Sequence, residues 1–490
     1  FSEDYYEAYS LLALLEAERG QYGRAVELLE QSRARTLVEQ IQRNRVEFAD
    51  TSPALAELLR QQQRLEAQRL ELRRQISQLY ALVESPPDEA LRKSPEDAER
   101  EARLLYDALT TIERELQQLD AELRTRFPEV ARLLAPPQLT LALIQQQLEP
   151  DVALIYHALV ENNLLILVVT RQGVQAHYGA VNAERLTRAV ERFREAIQQK
   201  NHSRVVELGA WLYETLIAPV ATALTGYERV LLCSEGVLNL LPWAALVAEV
   251  RNNQPTYWVE RVALHTTPSM GVYRYARLTE PASQGVLIVA VSQYAADARE
   301  EIALQRRALG NLAYVSQEVA NLERLFLGAS VLREEAVQPD VVRERARMAR
   351  ILHFACHAEA DSNAPLNSRL LFGTDESRQL TAAQILAQWR LQADLVMLSA
   401  CETGTGKAYR YEGVLGLARA FLSVGAKTVG ATLWQVDDEK TAQLVSAFYT
   451  AFVKDRLPKD RALQTAQQAM IRQGEPPYYW AGFIIVGDCR

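Results

Sequence analysis

The sequence predicts an all-helical N-terminal region followed by two α/β units. Leucines recur every seven residues early in the chain, which indicates a long helix with an apolar stripe. From about residue 150 onwards, short apolar runs flanked by turn residues alternate with helical patterns, as in sheets covered on both faces. Two of these runs lead to reactive side chains, His357 and Cys401, at strand ends where open α/β sheets bind ligands.

Composition narrows the classes of protein and of partner. The chain has 490 residues, enough for about three domains of ~150 residues each. Its net charge of -8 provides no basic surface for nucleic acid or for an anionic membrane. No apolar run approaches the ~20 residues of a spanning helix and no signal peptide is visible, so a cytoplasmic protein is expected. The four scattered cysteines are expected to be free thiols.

Residues 1–45 match a helix-turn-helix repeat, with small residues where two helices touch and a glycine in the turn. The matching positions are Tyr9, Leu12, Ala13, Gly20, Tyr22, Ala25 and Leu29. A single repeat cannot bury its own face, and about three are needed for stability. We therefore expect further repeats upstream of Phe1 in the natural protein.

Residues 46–137 predict a leucine-rich helical hairpin. Its first stripe comprises Leu58, Leu65, Leu72 and Leu79. After an interruption with Pro86, Pro87 and Pro95, the second stripe comprises Leu109, Ile112, Leu116, Leu119 and Leu123. The hairpin is either a partner-binding arm or a spacer whose stripes pack on each other, because an apolar heptad stripe specifies no partner.

Residues 138–280 predict the first α/β unit. The expected elements are strands at Val152 to Leu159, Leu164 to Thr170 and Val174 to Tyr178, a helical stretch over 183–224, and a strand from Arg229 to Gly236. Cys233 lies at the end of that last strand. No histidine is visible at a matching strand end, so Cys233 is interpreted as a core residue.

Residues 281–490 predict the second α/β unit, which opens with a strand from Val286 to Val291. In the later run that ends at His357, alternation places His353 and His357 on one face and Cys356 on the other. His353 is interpreted as a core histidine and Cys356 as a packing residue. His357 stands at the end of the run, before a polar loop, and is the candidate for chemistry.

Cys401 ends the next buried run and opens a glycine-containing loop, where backbone could approach a substrate closely. Cysteine catalysis needs a thiolate beside a base or imidazolium, and N–H groups that receive the developing oxyanion. The run Gly404 to Lys407 resembles the end of a phosphate loop, but Ala408 replaces the required serine or threonine. No paired metal-ligand spacing accompanies Cys356, so neither a metal site nor a cofactor is predicted.

One set of motifs resembles a known family. The motifs are Ser234-Glu-Gly-Val-Leu-Asn-Leu-Leu-Pro242-Trp, His353-Phe-Ala-Cys-His357-Ala, Pro365-Leu-Asn-Ser368-Arg-Leu-Leu-Phe, Leu398-Ser-Ala-Cys401-Glu-Thr-Gly, the run from Glu412 to Ala426, and Leu433-Trp-Gln-Val-Asp437-Asp438. From about Leu139 to the C-terminus the sequence resembles the CHAT family of caspase-like proteins. That family is associated with TPR repeats, in agreement with the N-terminal pattern.

The resemblance implies a tandem fold like separase, with a pseudo-protease half over 138–280 and an active caspase-like half over 281–490. It implies that His357 and Cys401 are the catalytic pair. It also implies that the backbone N–H groups of Ala358 and Cys401 hold the oxyanion. Many caspases have glycine after the histidine, but Ala358 retains the N–H.

Asp437 and Asp438 follow an apolar strand, Val429 to Trp434. Adjacent carboxylates there are commonly a solvated turn or a helix N-terminal cap. In separase-like relatives, acidic residues at the matching position line the S1 pocket and receive a basic P1 side chain, where charge-assisted pairing selects strongly. Both interpretations stay open. Asp437 is favoured for the pocket because it precedes the cap.

These inferences predict a cysteine endopeptidase that cleaves a specific protein target after a basic P1 residue. The family resemblance implies bacterial signalling or defence and release by a protein partner, which the N-terminal helices would contact. The alternative is a catalytically silent caspase-like adaptor that acts through its helical region and keeps the α/β fold as a scaffold.

Overall fold

The computed structural model describes residues 2–43, 52–84, 94–128, 139–282, 284–294, 311–361, 364–399, 413–434 and 437–490. They fall into two compact units. One unit is Leu37–Ala135, and the other combines Phe1–Thr36 with Pro136–Arg490. A helical N-terminal region followed by a large mixed-sheet α/β domain confirms the coarse fold prediction.

The first two helices form the expected helix-turn-helix. Helix α1 spans Ser2–Glu18 and helix α2 spans Tyr22–Arg43. Gly20 lies between them with a φ of 74°, a left-handed conformation that glycine adopts without steric cost. Ala13 and Ala25 are fully buried in an apolar cluster that also contains residues of the large sheet. The start of the chain is therefore packed into the α/β unit.

The smaller unit contains the predicted helical hairpin. Its helices are α3, Pro53–Glu84, and α4, Pro95–Arg126. Leu79 near the end of α3 packs with Ala98 near the start of α4, and Arg73 pairs with Glu113 further along, so the helices run antiparallel. Among the described helices of the chain, none combines the length and the apolar character needed to cross a membrane.

The α/β unit is built from strands β1 Val152–Val160, β2 Asn163–Val169, β3 Val174–Ala180, β4 Arg229–Cys233, β5 Val247–Arg251, β6 Gln254–Tyr257, β7 Ala263–Thr266, β8 Val286–Ala290, β9 Ser330–Arg333, β10 Ile351–Ala355, β11 His357–Glu359, β12 Arg369–Leu371, β13 Gln379–Thr381, β14 Leu395–Ser399, β15 Thr428–Thr432 and β16 Phe483–Gly487. Eleven of them form one sheet in the order β3-β2-β1-β4-β7-β16-β15-β14-β10-β8-β9. The sheet therefore continues through both predicted halves of the unit.

The described part of this unit also contains helices α5 Leu141–Gln147, α6 Ala183–Gln198, α7 His202–Leu216, α8 Met270–Leu278, α9 Val315–Leu325, α10 Pro339–Ala346, α11 Ala382–Gln388, α12 Gly413–Ser423, α13 Asp438–Val453 and α14 Lys459–Arg472. Below, the first half denotes residues 139–282 and the second half denotes residues 284–490. In the second half, strands β9, β8, β10, β14 and β15 are successive parallel neighbours. The carboxyl ends of these strands therefore lie along one edge of the sheet.

Both faces of the second half are covered by helices. His353 of β10 contacts Glu318 of α9 and Tyr449 of α13. The next residue, Phe354, points to the opposite face and packs on Phe421 of α12. Burial on both faces explains why β10 and β14 are mostly apolar, with His353 and Ser399 as their polar residues, and show no regular alternation of polar residues.

Two predicted elements end earlier than the sequence suggested. The helical stretch predicted over 183–224 is divided into α6 and α7, and Lys200 between them has a left-handed φ of 56°. The strand expected to include His357 ends at Ala355, and His357 begins β11 in a separate three-stranded sheet. The break at Cys356 therefore invalidates the simple alternation through His357. The tandem arrangement of an inactive and an active half stays a prediction.

Candidate active site

His357 lies where the chain leaves the large sheet at the end of β10. It is 1% exposed, and its backbone N–H donates to the Tyr294 hydroxyl at 2.8 Å. The two rings also pack together, with their centroids 4.6 Å apart. The Tyr294 hydroxyl donates in turn to the carbonyl oxygen of Leu371 at 2.9 Å. Tyr294 therefore supports both the backbone and the imidazole of His357.

Tyr294 is a site residue that the sequence reasoning missed. Asn311 accepts its backbone N–H at 2.9 Å. The Glu334 carboxylate accepts the backbone N–H and the hydroxyl of Ser292 at 3.1 and 2.6 Å, which fixes the turn before Tyr294. Burial raises the pKa of Tyr294 well above its usual range, so the hydroxyl stays protonated. A lone tyrosine shortly after an apolar run follows no pattern that would have identified it.

Strand β14 runs beside β10 and leads to Cys401. Ala355 of β10 is paired with Ser399 of β14. His357 and Cys401 each follow these paired residues by two positions. Because neighbouring strands lie about 4.8 Å apart, segments that leave them at matched positions start from adjacent points of the sheet edge. Cys401 and the glycine loop that follows it lie outside the described residues.

A close backbone contact joins the segments that follow His357 and Cys401. Gly416 of α12 lies against Pro365, the first residue of a 3-10 turn. A Cβ atom at Gly416 would lie 2.5 Å from the Pro365 carbonyl oxygen, so a side chain there would displace the backbone. Two motifs that are separated in the sequence therefore meet in space, and glycine is needed where they meet.

The two acidic residues after β15 differ in environment. Asp437 is exposed and caps α13, where one carboxylate oxygen accepts the backbone N–H groups of Glu439 and Lys440 at 3.1 and 3.2 Å. Asp438 is half-buried, and burial, with smaller contributions from the charges of Asp437 and Glu318, raises its pKa to about 6. The charged form of Asp438 would therefore gain from a nearby cation.

Three further residues discussed from the sequence are Ala358, His353 and Cys356. Ala358 lies in β11, next to His357, and its oxyanion role stays a prediction. His353 is a core residue, with one ring nitrogen 2.9 Å from Glu318 and the other 3.2 Å from the Tyr449 hydroxyl. Cys356 is buried, and its thiol is reduced.

A comparison with protein families matches the sequence model of the CHAT domain to residues 206–488. The match covers more than half of the chain and includes His357, Cys401, Asp437 and Asp438. The chain belongs to the CHAT domain family. The resemblance drawn from the sequence motifs is thereby confirmed for the family.

Relatives of this CHAT protein include two curated sequences. Tetratricopeptide repeat protein 28 of Mus musculus is 25% identical over 325 residues, and its Homo sapiens counterpart is 25% identical over 324 residues. Each match covers 56% of this chain but 13% of the relative, so the chain spans a small part of the curated relatives it matches.

Two solved structures match the CHAT protein at low sequence identity. The Arg specific cysteine proteinase gingipain R matches with a TM-score of 0.38 and 8% identity over 59% of this chain and 67% of that chain. A chain of the Saccharomyces cerevisiae separase-securin complex matches with a TM-score of 0.47 and 10% identity, over 95% of this chain and 40% of that chain.

The first half of the CHAT protein has its own histidine beside a strand end with cysteine. Strands β1 and β4 are parallel, and Tyr156 pairs with Cys233, the last residue of β4. This pairing brings His157 to Ser234, with 3.3 Å between its Nδ1 atom and the Ser234 hydroxyl oxygen. Cys233 is fully buried, as expected of a core residue, and His157 lies within β1 and not at a strand end. Long-range pairing of β1 with β4 creates a proximity that the linear sequence does not show.

Helix α2 covers these strand ends with two charged residues. Arg33 donates to the carbonyl oxygens of His157 and Cys233, both at 3.1 Å. Glu30 accepts the backbone N–H of Met270, at the start of α8, at 3.0 and 3.1 Å. Burial raises the pKa of the Cys233 thiol to about 12 and lowers the pKa of His157 to about 4. Both side chains are therefore neutral near pH 7.

Within the described ranges, one group of side chains has the donor types of a metal site: His265, Asp460 and Cys489. Arg229 already donates to Asp460 at 2.7 Å. Burial opposes ionisation of Asp460, yet hydrogen bonding from His265 and the charge of Arg229 lower its pKa to about 2. Burial raises the pKa of the Cys489 thiol well above its usual range. Because the guanidinium would repel a metal cation, this group fits a buried ion-pair network.

Proposed function

We propose that this CHAT protein is a cysteine endopeptidase in which His357 and Cys401 form the catalytic dyad. The register of β10 and β14 carries the proposal, because both residues follow the paired positions Ala355 and Ser399 by two. The family match is a second support, since the CHAT motifs resemble those of caspase-like peptidases. The support of His357 by Tyr294 is a third, because general acid-base catalysis needs an oriented imidazole.

In the proposed reaction the Cys401 thiolate attacks the scissile carbonyl carbon, and the negative charge moves to the carbonyl oxygen. The backbone N–H groups of Ala358 and Cys401 stabilise this oxyanion. When the C–N bond breaks, the His357 imidazolium gives its proton to the leaving amine, and a thioester forms. His357 then removes a proton from water, which attacks the thioester and releases the acid and the thiolate.

We assign the basic P1 preference to Asp438 and not to Asp437. Asp437 uses its carboxylate to cap α13, and capping contributes about 1 kcal/mol to helix stability. Asp438 is half-buried and sits two strands from β10, after β15, at the edge where the carboxyl ends of β10, β14 and β15 meet. A guanidinium at P1 would lower the cost of keeping this carboxylate charged.

The rest of the chain supports recognition in this proposal. The first half is the pseudo-protease half, and the helix-turn-helix with the hairpin of α3 and α4 receives an activating protein partner or the protein substrate. By family resemblance we place this activity in bacterial signalling or defence, in the cytoplasm. No bound cofactor takes part in the proposed steps.

The test is mass-spectrometric profiling of cleavage sites in a peptide library, with wild-type protein and three variants. Cys401→Ala and His357→Ala should abolish cleavage, whereas Cys356→Ala should retain most of it, because Cys356 is a packing residue. An electrophilic peptide should label Cys401 selectively in the wild-type protein.

Robust cleavage by purified Cys401→Ala would overturn the dyad. A wild-type protein that neither cleaves any library member nor reacts with the electrophile at Cys401, even with its helical region intact, would favour the silent adaptor. A profile dominated by apolar or acidic P1 residues would remove Asp438 from the proposal and leave the dyad standing.

A further inference from the structure

Helix α6 belongs to the first half, yet its C-terminal part contacts the segment of the second half that precedes Asp437. Arg194 of α6 donates through one guanidinium nitrogen to the carbonyl oxygen of Leu433 at 3.1 Å. Leu433 directly follows β15. Through the other nitrogen Arg194 donates to the carbonyl oxygen of Leu240 in the first half, at 2.9 Å. A single side chain therefore joins the two halves.

The geometry of Arg194 requires a planar fork. The two carbonyl oxygens belong to segments far apart in the sequence, and each is reached by a different terminal nitrogen. A lysine ammonium is a compact point charge on a flexible stem and does not reproduce this fork. The guanidinium also lies 6.0 Å from the ring centroid of Trp434, the next residue after Leu433. Arg194 therefore contacts two consecutive residues at the end of β15.

The same segment is held on its other side. The Trp434 indole N–H donates to the carbonyl oxygen of Tyr478 at 3.0 Å. Gly482 lies flat against the indole, since a Cβ there would approach it to 2.9 Å. Lys200, just after α6, donates to the Tyr479 hydroxyl at 2.6 Å and lies 4.7 Å above the Tyr478 ring. Two basic residues at the end of α6 thus fix the surroundings of Trp434.

We propose that α6 is a positioning element for substrate recognition, in which Arg194 holds the end of β15 so that Asp438 meets the P1 side chain. The inference rests on the proposed function and goes beyond it, because it gives the first half a direct role in specificity. We assign Arg194 as a positioning residue, because it holds two backbone carbonyl oxygens and lies against Trp434. It acts on the substrate through Leu433 and Trp434, which precede Asp438 in the chain.

The test compares two fluorogenic peptides that differ in P1, arginine against citrulline, which has nearly the same shape without the charge. For Arg194→Met, kcat/KM for the arginine peptide should fall about tenfold relative to the citrulline peptide, mostly through KM, because one charge-assisted contact is misplaced. Arg194→Lys should give an intermediate loss. The rate of Cys401 labelling by iodoacetamide should stay unchanged in both variants.

The matched control is Arg188→Met on the same helix, since Arg188 forms an exposed ion pair with Glu184. It should leave both peptides unaffected. If Arg194→Met does not fold, Trp434→Phe removes the indole N–H and should lower the same ratio. A purely structural role would reduce both peptides equally and lower the melting temperature, and that result overturns the inference.

The wild-type ratio of kcat/KM for the arginine and citrulline peptides separates this inference from the proposal on which it rests. A wild-type preference for arginine that Arg194→Met and Arg194→Lys leave unchanged overturns the positioning role alone. A wild-type ratio near one overturns the assignment of Asp438 to P1 recognition, and the positioning role with it. Retained Cys401-dependent hydrolysis in that case would leave the dyad intact.

Discussion

Each half of the α/β unit places a histidine beside a strand that leads to a cysteine, but the two histidines have different surroundings. In the first half, both ring nitrogens of His157 are engaged, by Ser234 and by the Leu216 carbonyl, and α2 covers the strand ends with Arg33. In the second half, the Tyr294 hydroxyl accepts the backbone N–H of His357, and the Tyr294 ring packs against the imidazole. The residue types alone therefore do not define a catalytic site.

The pKa values of Cys233 and His157 show how far burial removes them from the states that catalysis needs. With a pKa of about 12, roughly one Cys233 thiol in 10⁵ is a thiolate at pH 7, too few for efficient attack. His157, with a pKa of about 4, is almost never an imidazolium at that pH and could not protonate a leaving amine. A cysteine protease needs the reverse of both conditions. The first half is therefore suited to packing and support.

The largest expected effect separates the two histidines. His357→Gln should lower peptide turnover by at least about a thousandfold, because it removes the proton donor and acceptor of the dyad. His157→Gln should change turnover less than about threefold and instead lower stability, since His157 is fully buried against Trp243. Initial rates on one peptide, together with urea denaturation, measure both effects.

Equal loss of turnover in the two variants, with wild-type folding, would contradict the division into a catalytic and a supporting half. The control is His177→Gln, because this half-buried histidine lies on the edge strand β3, two strands away from His157 of β1. It should change neither turnover nor stability.

The second effect tests how much Arg33 of helix α2 stabilises the first half. Arg33→Met should lower the free energy of unfolding by about 3 kcal/mol, because it leaves two buried carbonyl oxygens without this charged donor and removes the guanidinium that lies 3.5 Å from the Glu235 carboxyl group. Burial raises the pKa of the neighbouring Glu235 to about 8. Its carboxyl group stabilises the fold below its ordinary pKa, and this stabilisation is lost as the pH rises through 8. Because Arg33→Met removes the cation beside Glu235, ionisation of this carboxyl group should cost the variant more than wild type. The stability difference between the two proteins should therefore grow with pH between 6 and 9.

Urea denaturation of wild-type protein and Arg33→Met at pH 6 and pH 9 measures this deficit. The matched control is Arg24→Met on the same helix, where the ion pair with Glu27 is exposed and contributes little. If Arg33→Met is as stable as wild type, the contacts of Arg33 do not stabilise the first half. Rapid labelling of Cys233 in the folded variant would show that α2 conceals a second reactive site.

Much of the second half follows from the sequence, because its strands are short apolar runs bounded by turn residues. The predicted strand from Val286 to Val291 corresponds to β8, Val286–Ala290. His357 is a candidate by its position after one of these runs, since the carboxyl ends of parallel strands share one edge. Family membership, confirmed by the match over 206–488, was also predicted from local motifs.

The surroundings of the site could not be predicted in the same way. Tyr294, Arg33 and Arg194 act through contacts with residues that are distant in the sequence, and none of them stands in a recognisable pattern. His157 was overlooked because β1 is buried on both faces, so its run has no alternation that marks one residue. Pairing between strands decides which side chains meet, and a single sequence does not show pairing.

The third effect concerns the support of His357. Tyr294→Phe keeps the ring contact but removes the hydroxyl that accepts the His357 N–H and donates to Leu371. We expect kcat to fall about tenfold with KM nearly unchanged, because the loss misorients the imidazole and leaves substrate contacts intact. Steady-state kinetics on the arginine peptide measure the split. A rise in KM at constant kcat would mean that Tyr294 binds substrate. Tyr314→Phe, at a more exposed tyrosine, is the control.

The smallest effect has an unusual sign and tests the assignment of Asp438. Its folded pKa of about 6 lies above the ordinary value of 3.8, so the fold favours the neutral form, and the resulting stability is lost as the pH rises through 6. Asp438→Asn should therefore stabilise the protein at pH 7.5 by about 1 kcal/mol, after allowance for solvent screening, and have no effect at pH 4.

The same substitution should remove the preference for arginine over citrulline at P1, and in the wild-type protein that preference should weaken as the pH falls below 6, where Asp438 becomes neutral. Melting temperatures and P1 ratios across this range measure both. Asp437→Ala is the control, because loss of the cap should cost about 1 kcal/mol and spare the P1 ratio. If Asp438→Asn instead destabilises the protein at pH 7.5 and leaves the ratio unchanged, its carboxylate serves the N-terminus of α13, and the site has no acidic recognition of P1 at this position.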